Sequence, residues 1–290
     1  MNNEVICAAC FARVGSANAV CPTCGSDLWI ESRLRLVEAG SGGGTRTFVG
    51  ELRGGAGDGR RQEVAVRVLE MGRLSDWRVY ERFRRQGEIL AELSHPRIPR
   101  PLGDFEIQGR VLHCQTRVVG RTLAQRLDGA HLTVAEAACL AGDLLDLLAH
   151  LHTRSIVHRD LTPDAVIIDG DWRAHLVDFS AAGRKRAGGA LGGEPEVVGT
   201  AGYMAPEQAR GDSLPQSDLY ALGRLLAQAL GGNDSDRTLS ALIANLTRDD
   251  WRKRPASAAE AHALLAPART TRGLWATLLR ASGLGPRTSG

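Results

Sequence analysis

"HRDLTPDA", residues 158–165, decides how this chain is read. Residues 165–169, "AVIID", and 174–179, "AHLVDF", carry the short β-branched runs of strands, and Asp169, Gly170 and Asp171 between them suit a hairpin. Upstream, "HLTVAEAACLAGDLLDLLAHLH" (131–152) is the clearest helix in the chain. Thr133 and Glu136 have capping-box spacing, and Leu140, Leu144, Leu147, Leu148 and Leu151 form one apolar stripe. Downstream, "SDLYALGRLLAQAL" (217–230) is a second apolar helix. Towards the N-terminus, "EVAVRVL" (63–69) alternates as a strand, and residues 76–93 place Trp77, Tyr80, Phe83, Ile89 and Leu90 at roughly helical spacing. Strand patterns come first and long helices come after them, an α+β organisation.

The 290 residues are 43% apolar and 24% charged, which is ordinary for a globular protein and enough to bury a substantial core. A formal net charge of +3 implies no large acidic partner. Lys185 and Lys253 are the only lysines, so none precedes residue 185. The start, "MNNEVICAAC", lacks the basic region and apolar run of a signal peptide. No stretch reaches the ~18 uninterrupted apolar residues of a membrane span. A cytoplasmic protein without a transmembrane segment is expected.

Three sections appear: residues 1–30, rich in cysteine; residues 31–266; and a tail, residues 267–290, rich in Arg, Thr, Gly and Ser. Cys7-x-x-Cys10, ten residues, then Cys21-x-x-Cys24 is a metal pattern. Each pair sits on a tight turn and presents two thiolates from one side. Two such turns complete a tetrahedron suited to zinc, and four sulfurs leave no open position, so a structural Zn2+ is expected. The segment resembles the zinc-ribbon family. It carries one cation, Arg13, against Glu4 and Asp27, a net charge of −1, which is the wrong footprint for nucleic acid and favours protein docking or a structural role. Cys114 and Cys139 read as buried small apolar residues. In the tail, "GLWATLLRASGLG" (273–285) reads as a frayed end, with a short amphipathic segment making weak membrane-surface contact as the alternative.

The middle section resembles the bacterial form of the eukaryotic-type Ser/Thr protein kinase family. Its motifs fall in the family's order: "GSGGGT" (40–45), "VAVR" (64–67), "SHPRIPR" (94–100), "HRDLTPDA", "DFS" (178–180), "GTAGYMAPEQ" (199–208), "SDLYALG" (217–223) and "KRPAS" (253–257). The resemblance implies a bilobal fold, a small β-rich lobe over a larger helical one, with ATP and Mg2+ in the cleft. It implies that Glu207 pairs with Arg254 and that Asp218 anchors the loop at His158 and Arg159. Asp160 takes the place of the base that orients the attacking hydroxyl, and Asp178 that of the main magnesium ligand. Gly40, Gly42 and Gly43 fall in the phosphate loop.

Around these residues the sequence departs from the family. The lysine of the third strand is Arg67, whose planar fork does not occupy the place of a compact ammonium. The glutamate that clamps it aligns with neutral Gln86; Glu88, two residues on, faces roughly the other way. The magnesium-binding asparagine is Ala165, the loop lysine is Thr162, the third loop glycine is Thr45 (unless Gly44 serves), and the last residue of DFG is Ser180. Phosphoryl transfer relies on positioning and charge neutralisation, so these changes weaken it. Residues 181–199 contain no Ser, Thr or Tyr for phosphorylation, and Glu194 or Glu196 could give Arg159 a permanent carboxylate. Only "GGNDSDRT" (231–238) stands where the family places a substrate-docking helix. The reading is a pseudokinase that presents a kinase-shaped surface to a protein partner in a signalling complex. The alternatives are an active atypical Ser/Thr kinase using Asp160, Asp178 and Arg67, and a nucleic-acid-associated regulator built on the ribbon.

Overall fold

The computed structural model describes residues 4–39, 46–54, 60–74, 76–184 and 197–265. The candidate loop residues Gly40, Gly42, Gly43, Gly44 and Thr45, the carboxylates Glu194 and Glu196, and the tail 267–290 lie outside them. The chain forms two compact units, Met1–Ser94 with Pro99–Val118, and His95–Ile98 with Val119–Gly290.

The first unit holds β1 (Glu4–Ile6), β2 (Arg13–Gly15), β3 (Leu34–Ala39), β4 (Arg46–Arg53), β5 (Arg61–Glu70), α1 (Trp77–Glu92), β6 (Pro101–Ile107) and β7 (Arg110–Thr116). The seven strands make one sheet in the order β2-β1-β3-β4-β5-β7-β6, antiparallel throughout. The cysteine-rich segment thus continues the sheet, with Ile6 of β1 opposite Leu36 of β3. Its side chains share the core as well: Ile6, Ala8 and Ile30 pack in one cluster with Leu36, Phe48, Val64, Val66 and Leu112. A fully buried aliphatic or aromatic side chain of this size contributes about 1.5–3 kcal/mol.

Alternation along β5 puts Val64, Val66 and Val68 on that face and Arg67 on the other. Arg67 lies opposite His113 of β7 and Thr47 of β4. Asp76 caps α1 by accepting from the Arg78 amide at 2.9 Å, and α1 buries Phe83, Gln86, Ile89 and Leu90. His113 ties this helix down: its Nε2 lies 2.9 Å from the Phe83 carbonyl, and its ring stacks on Phe83 at 4.0 Å. Gly87 makes the approach feasible, because a Cβ there would sit 3.3 Å from the imidazole. Cys114 is buried as expected, whereas Cys139 is only partly buried.

The second unit holds β8 (Arg121–Thr122), α2 (Leu123–Leu127), α3 (Val134–His152), β9 (Ile156–Val157), β10 (Val166–Ile168), β11 (Ala174–Leu176), β12 (Gly183–Arg184), α4 (Pro215–Leu230), α5 (Arg237–Leu246) and α6 (Ala258–Leu264). The capping box closes reciprocally at the start of α3: Thr133 Oγ1 accepts from the Glu136 amide (3.2 Å) and Glu136 Oε2 from the Thr133 amide (2.8 Å). Pro215 opens α4, and Gly231 at φ 58° ends it in the left-handed conformation. Residues 231–236 then lead directly into α5. β10 and β11 form the hairpin expected around Asp169–Asp171, and Leu140, Leu144, Leu147, Leu148 and Leu151 are buried.

Candidate functional site

In the first unit, the turns at Cys7–Cys10 and Cys21–Cys24 bring four sulfurs within 4.8 Å of one another. Cys7 and Cys24 are 3.6 Å apart, Cys10 and Cys21 3.7 Å. A tetrahedral zinc with Zn–S bonds of about 2.3 Å requires S···S separations of about 3.8 Å, so the donor set fits a four-thiolate ion. Burial pushes the Cys7 thiol up to about 12, while the hydrogen bond with Ser26 lowers Cys24 to about 6. Filling the site therefore displaces a proton from Cys7.

Arg67 is 7% exposed on β5 and Gln86 2% exposed on α1. The Gln86 Oε1 is buried and has no hydrogen-bond partner among the described residues. Glu88 is 61% exposed and pairs with Arg84 at 3.0 Å. None of the residues α1 buries is acidic.

In the second unit, Asp218 organises the HRD loop. It is 1% exposed. It accepts from the His158 and Arg159 amides at 2.9 and 2.8 Å and faces His152 Nε2 at 2.8 Å. Burial opposes its charge, but the hydrogen bond and charge of His152, with His158, outweigh that and hold its carboxyl below the ordinary value. The stabilisation Asp218 gives is complete above the ordinary carboxylate range and is lost as pH falls through the lowered value. This anchoring holds Arg159 at φ 68°; Asp178 stands at φ 59°, also left-handed. Such a backbone costs about 1–3 kcal/mol and persists where its surroundings over-determine it.

Arg159 donates to the carbonyls of Ala181 (2.5 Å) and Ala182 (3.4 Å). A Cβ on Gly183 would come within 2.9 Å of its guanidinium, so a side chain there would push the guanidinium aside. Asp160 Oδ1 accepts from the Thr200 amide at 2.9 Å, and the Gln208 amide group donates to the carbonyls of Arg159 and Val198. Further along, Arg254 grips both oxygens of Glu207 at 2.7 and 2.9 Å, as expected. Ala165 is 3% exposed; its amide donates to Thr162 and its carbonyl accepts from Val177. It offers no side-chain ligand atom. Thr162 is 8% exposed, and Ser180 donates its amide to Asp178 Oδ1 at 3.1 Å.

Beside this loop lies an open cavity of about 480 Å³, lined by Gln125, Asp128, Thr162, Asp164, Thr200 and Tyr203 among others. The sequence did not reveal it. Asp164 inside "HRDLTPDA" was the available signal, but Asp128 and Tyr203 come from distant segments.

A β-rich unit with one helix, and a helical unit whose polar loop is pinned by a buried aspartate, define a protein-kinase-like fold. A protein kinase domain model matches residues 42–261, and the chain belongs to that family, as a relative of the bacterial Ser/Thr kinases. It is 33% identical over 211 residues to the probable serine/threonine-protein kinase PknB of Lactococcus lactis, covering 69% of this chain and 32% of that protein. It is 30% identical over 190 residues to the serine/threonine-protein kinase PrkC of Bacillus subtilis (64% and 29%) and 34% identical over 179 residues to PknB of Mycobacterium tuberculosis (59% and 28%). The chain thus spans about a third of the length of these relatives. No helix among the described residues is long and apolar enough to cross a membrane.

Proposed function

We propose that this chain is a protein kinase domain with impaired phosphoryl transfer, acting as a scaffold or allosteric regulator for a protein partner in a signalling complex, with a structural zinc ion on Cys7, Cys10, Cys21 and Cys24. The observation that carries the reading is the helix α1, which buries neutral Gln86 and no carboxylate. The helix position from which the family clamps the cation of the third strand thus carries an amide and no charge. ATP would supply the phosphoryl group and Mg2+ its charge neutralisation. Asp178 is the residue that would hold the metal, Arg67 the phosphate cation, and Asp160 the acceptor hydroxyl. Ala165 cannot contribute, and Thr162 brings no charge. Losing one transition-state donor lowers rates by roughly 100- to 1,000-fold, and such losses do not simply multiply.

A second reading, slow Ser/Thr transfer, draws on Asp160 and Asp178 being kept, on the cavity lined by Thr200, whose amide Asp160 accepts, and on the names of the relatives. Repair separates the two. In the variant Arg67→Lys/Gln86→Glu/Ala165→Asn, label transfer from ATP to Ser/Thr peptides is expected to rise about 100-fold or more over wild type. Transfer by wild type already equal to that of a folded repaired chain contradicts impairment. Gln86→Glu alone, which adds no volume, gives the same comparison if Ala165→Asn perturbs its buried turn.

A further inference from the structure

We propose that the four-cysteine knuckle is an effector site for zinc, and that Phe11 is the residue through which the bound ion fixes the strands that carry Arg67. This rests on the zinc reading above and concerns what the ion controls.

Phe11 comes directly after Cys10 and stands at φ 60°, a left-handed backbone that a residue with a bulky side chain rarely adopts. Two backbone hydrogen bonds lock the turn: Phe11 N–H to the Cys7 carbonyl (2.8 Å) and Cys7 N–H to the Ala12 carbonyl (3.0 Å). The turn throws the Phe11 ring onto the sheet, where it lies nearly parallel to Phe48 of β4, 5.4 Å between centroids and 9° between planes.

Two cations converge on the same ring. The guanidinium of Arg46, the first residue of β4, lies 4.4 Å from its centroid, and that of Arg110, the first residue of β7, lies 4.5 Å away. Arg110 also donates to the Ala9 carbonyl inside the knuckle and to Glu70 at 3.2 Å. Glu70, the last residue of β5, is 3.9 Å from Arg46. Two strand ends therefore meet at the Phe11 ring, and Glu70, at the end of a third strand, holds both of their arginines; the turn that places the ring is framed by the thiolates of Cys7 and Cys10. A ribbon folded only for itself has no use for such a contact.

The register carries the effect onward. Phe48 is opposite Val66, and Thr47 beside it is opposite Arg67. Zinc holds Cys7 and Cys10 together, which keeps Phe11 in its strained turn. Without the ion the turn relaxes, Arg46 and Arg110 lose their platform, and the β4–β5 ladder loosens at Arg67. Metal occupancy is in this way read out on the face of the sheet where Arg67 stands.

Hydrogen exchange on the full chain, with zinc content measured in parallel, tests this. In Phe11→Ala still holding one zinc, amides of residues 46–50 and 64–68 are expected to exchange roughly tenfold or more faster than wild type, while those of α3 and α4 are unchanged. Chelating the metal from wild type is expected to reproduce the change. Unchanged exchange at 46–50 and 64–68 in zinc-loaded Phe11→Ala overturns the proposal and leaves the metal reading standing. A wild-type chain that holds no zinc overturns both. If Phe11→Ala does not fold, Phe11→Leu, which keeps apolar bulk but has no aromatic face for the guanidinium groups, is expected to show the faster exchange at the same amides; wild-type exchange in it, with zinc bound, counts against the proposal.

Discussion

Stripping the metal from Cys7, Cys10, Cys21 and Cys24 is expected to destabilise the whole β-rich unit, not only the first thirty residues. A segment of that size cannot bury enough surface to fold by itself. On the proposed zinc reading, metal binding, which supplies about 10–16 kcal/mol in small finger peptides, would make up the deficit. Here the segment also supports the strands beyond it. Ile6, Ala8 and Ile30 fill the core beneath Phe48, Val64 and Val66, and β1 covers the edge of β3. Unfolding the knuckle exposes that face and frees the edge. Calorimetry after a tight chelator should show the β-rich unit losing at least ~3 kcal/mol, a fall in melting temperature of roughly 10 °C or more for a unit of about a hundred residues. Restoring zinc should restore the transition. A melting profile indifferent to the chelator would mean that the four sulfurs close without a metal.

The second large effect lies in the helical unit, at Arg254. Its side chain is wholly buried, at 0% exposure, and Glu207 is nearly so, at 6%. Besides both Glu207 oxygens it serves the carbonyls of Gln216, Arg248 and Asp249. Truncation to alanine leaves the Glu207 carboxylate buried, with the Ser217 hydroxyl still donating to it at 2.7 Å but no cation beside it. Breaking a buried pair from one side costs about 3–5 kcal/mol. Arg254→Ala is therefore expected to lower the denaturation midpoint of the helical unit sharply. Arg252→Ala, at a side chain 71% exposed, should stay within about 0.5 kcal/mol of wild type. Equal effects from the two would show that burial of the Glu207 pair contributes nothing.

Much of this architecture was legible in the sequence because its signals are local. The cysteine spacing puts four thiols on two turns, and their sulfurs lie within 4.8 Å of one another. The Thr133/Glu136 box marks the start of α3, and the 3.6-residue period places Glu88 away from the face that buries Gln86. Asp218 and the Glu207–Arg254 pair came from motif order and were found where expected. What the sequence hid depends on pairing between distant segments. β1 has three residues and joins the sheet at Leu36, thirty positions on. Nothing in "AACFARV" says that Phe11 will lie on Phe48, or that His113 will hold the Phe83 carbonyl. The link from Asp160 to Thr200 spans forty residues, and the cavity beside it is assembled from separate stretches of chain.

The proposed impairment of phosphoryl transfer meets its most direct test in single-turnover transfer of the γ-phosphoryl group from ATP-Mg2+ by the purified wild-type chain, with Asp160→Asn as the blank. The expected result is label incorporation at or near that of Asp160→Asn, at least ~100-fold below the roughly 1–100 s⁻¹ typical of protein kinases. Sustained, Asp160-dependent transfer within that range would show that Arg67, Gln86, Thr162 and Ala165 suffice for catalysis, and the chain would stand as an active Ser/Thr kinase.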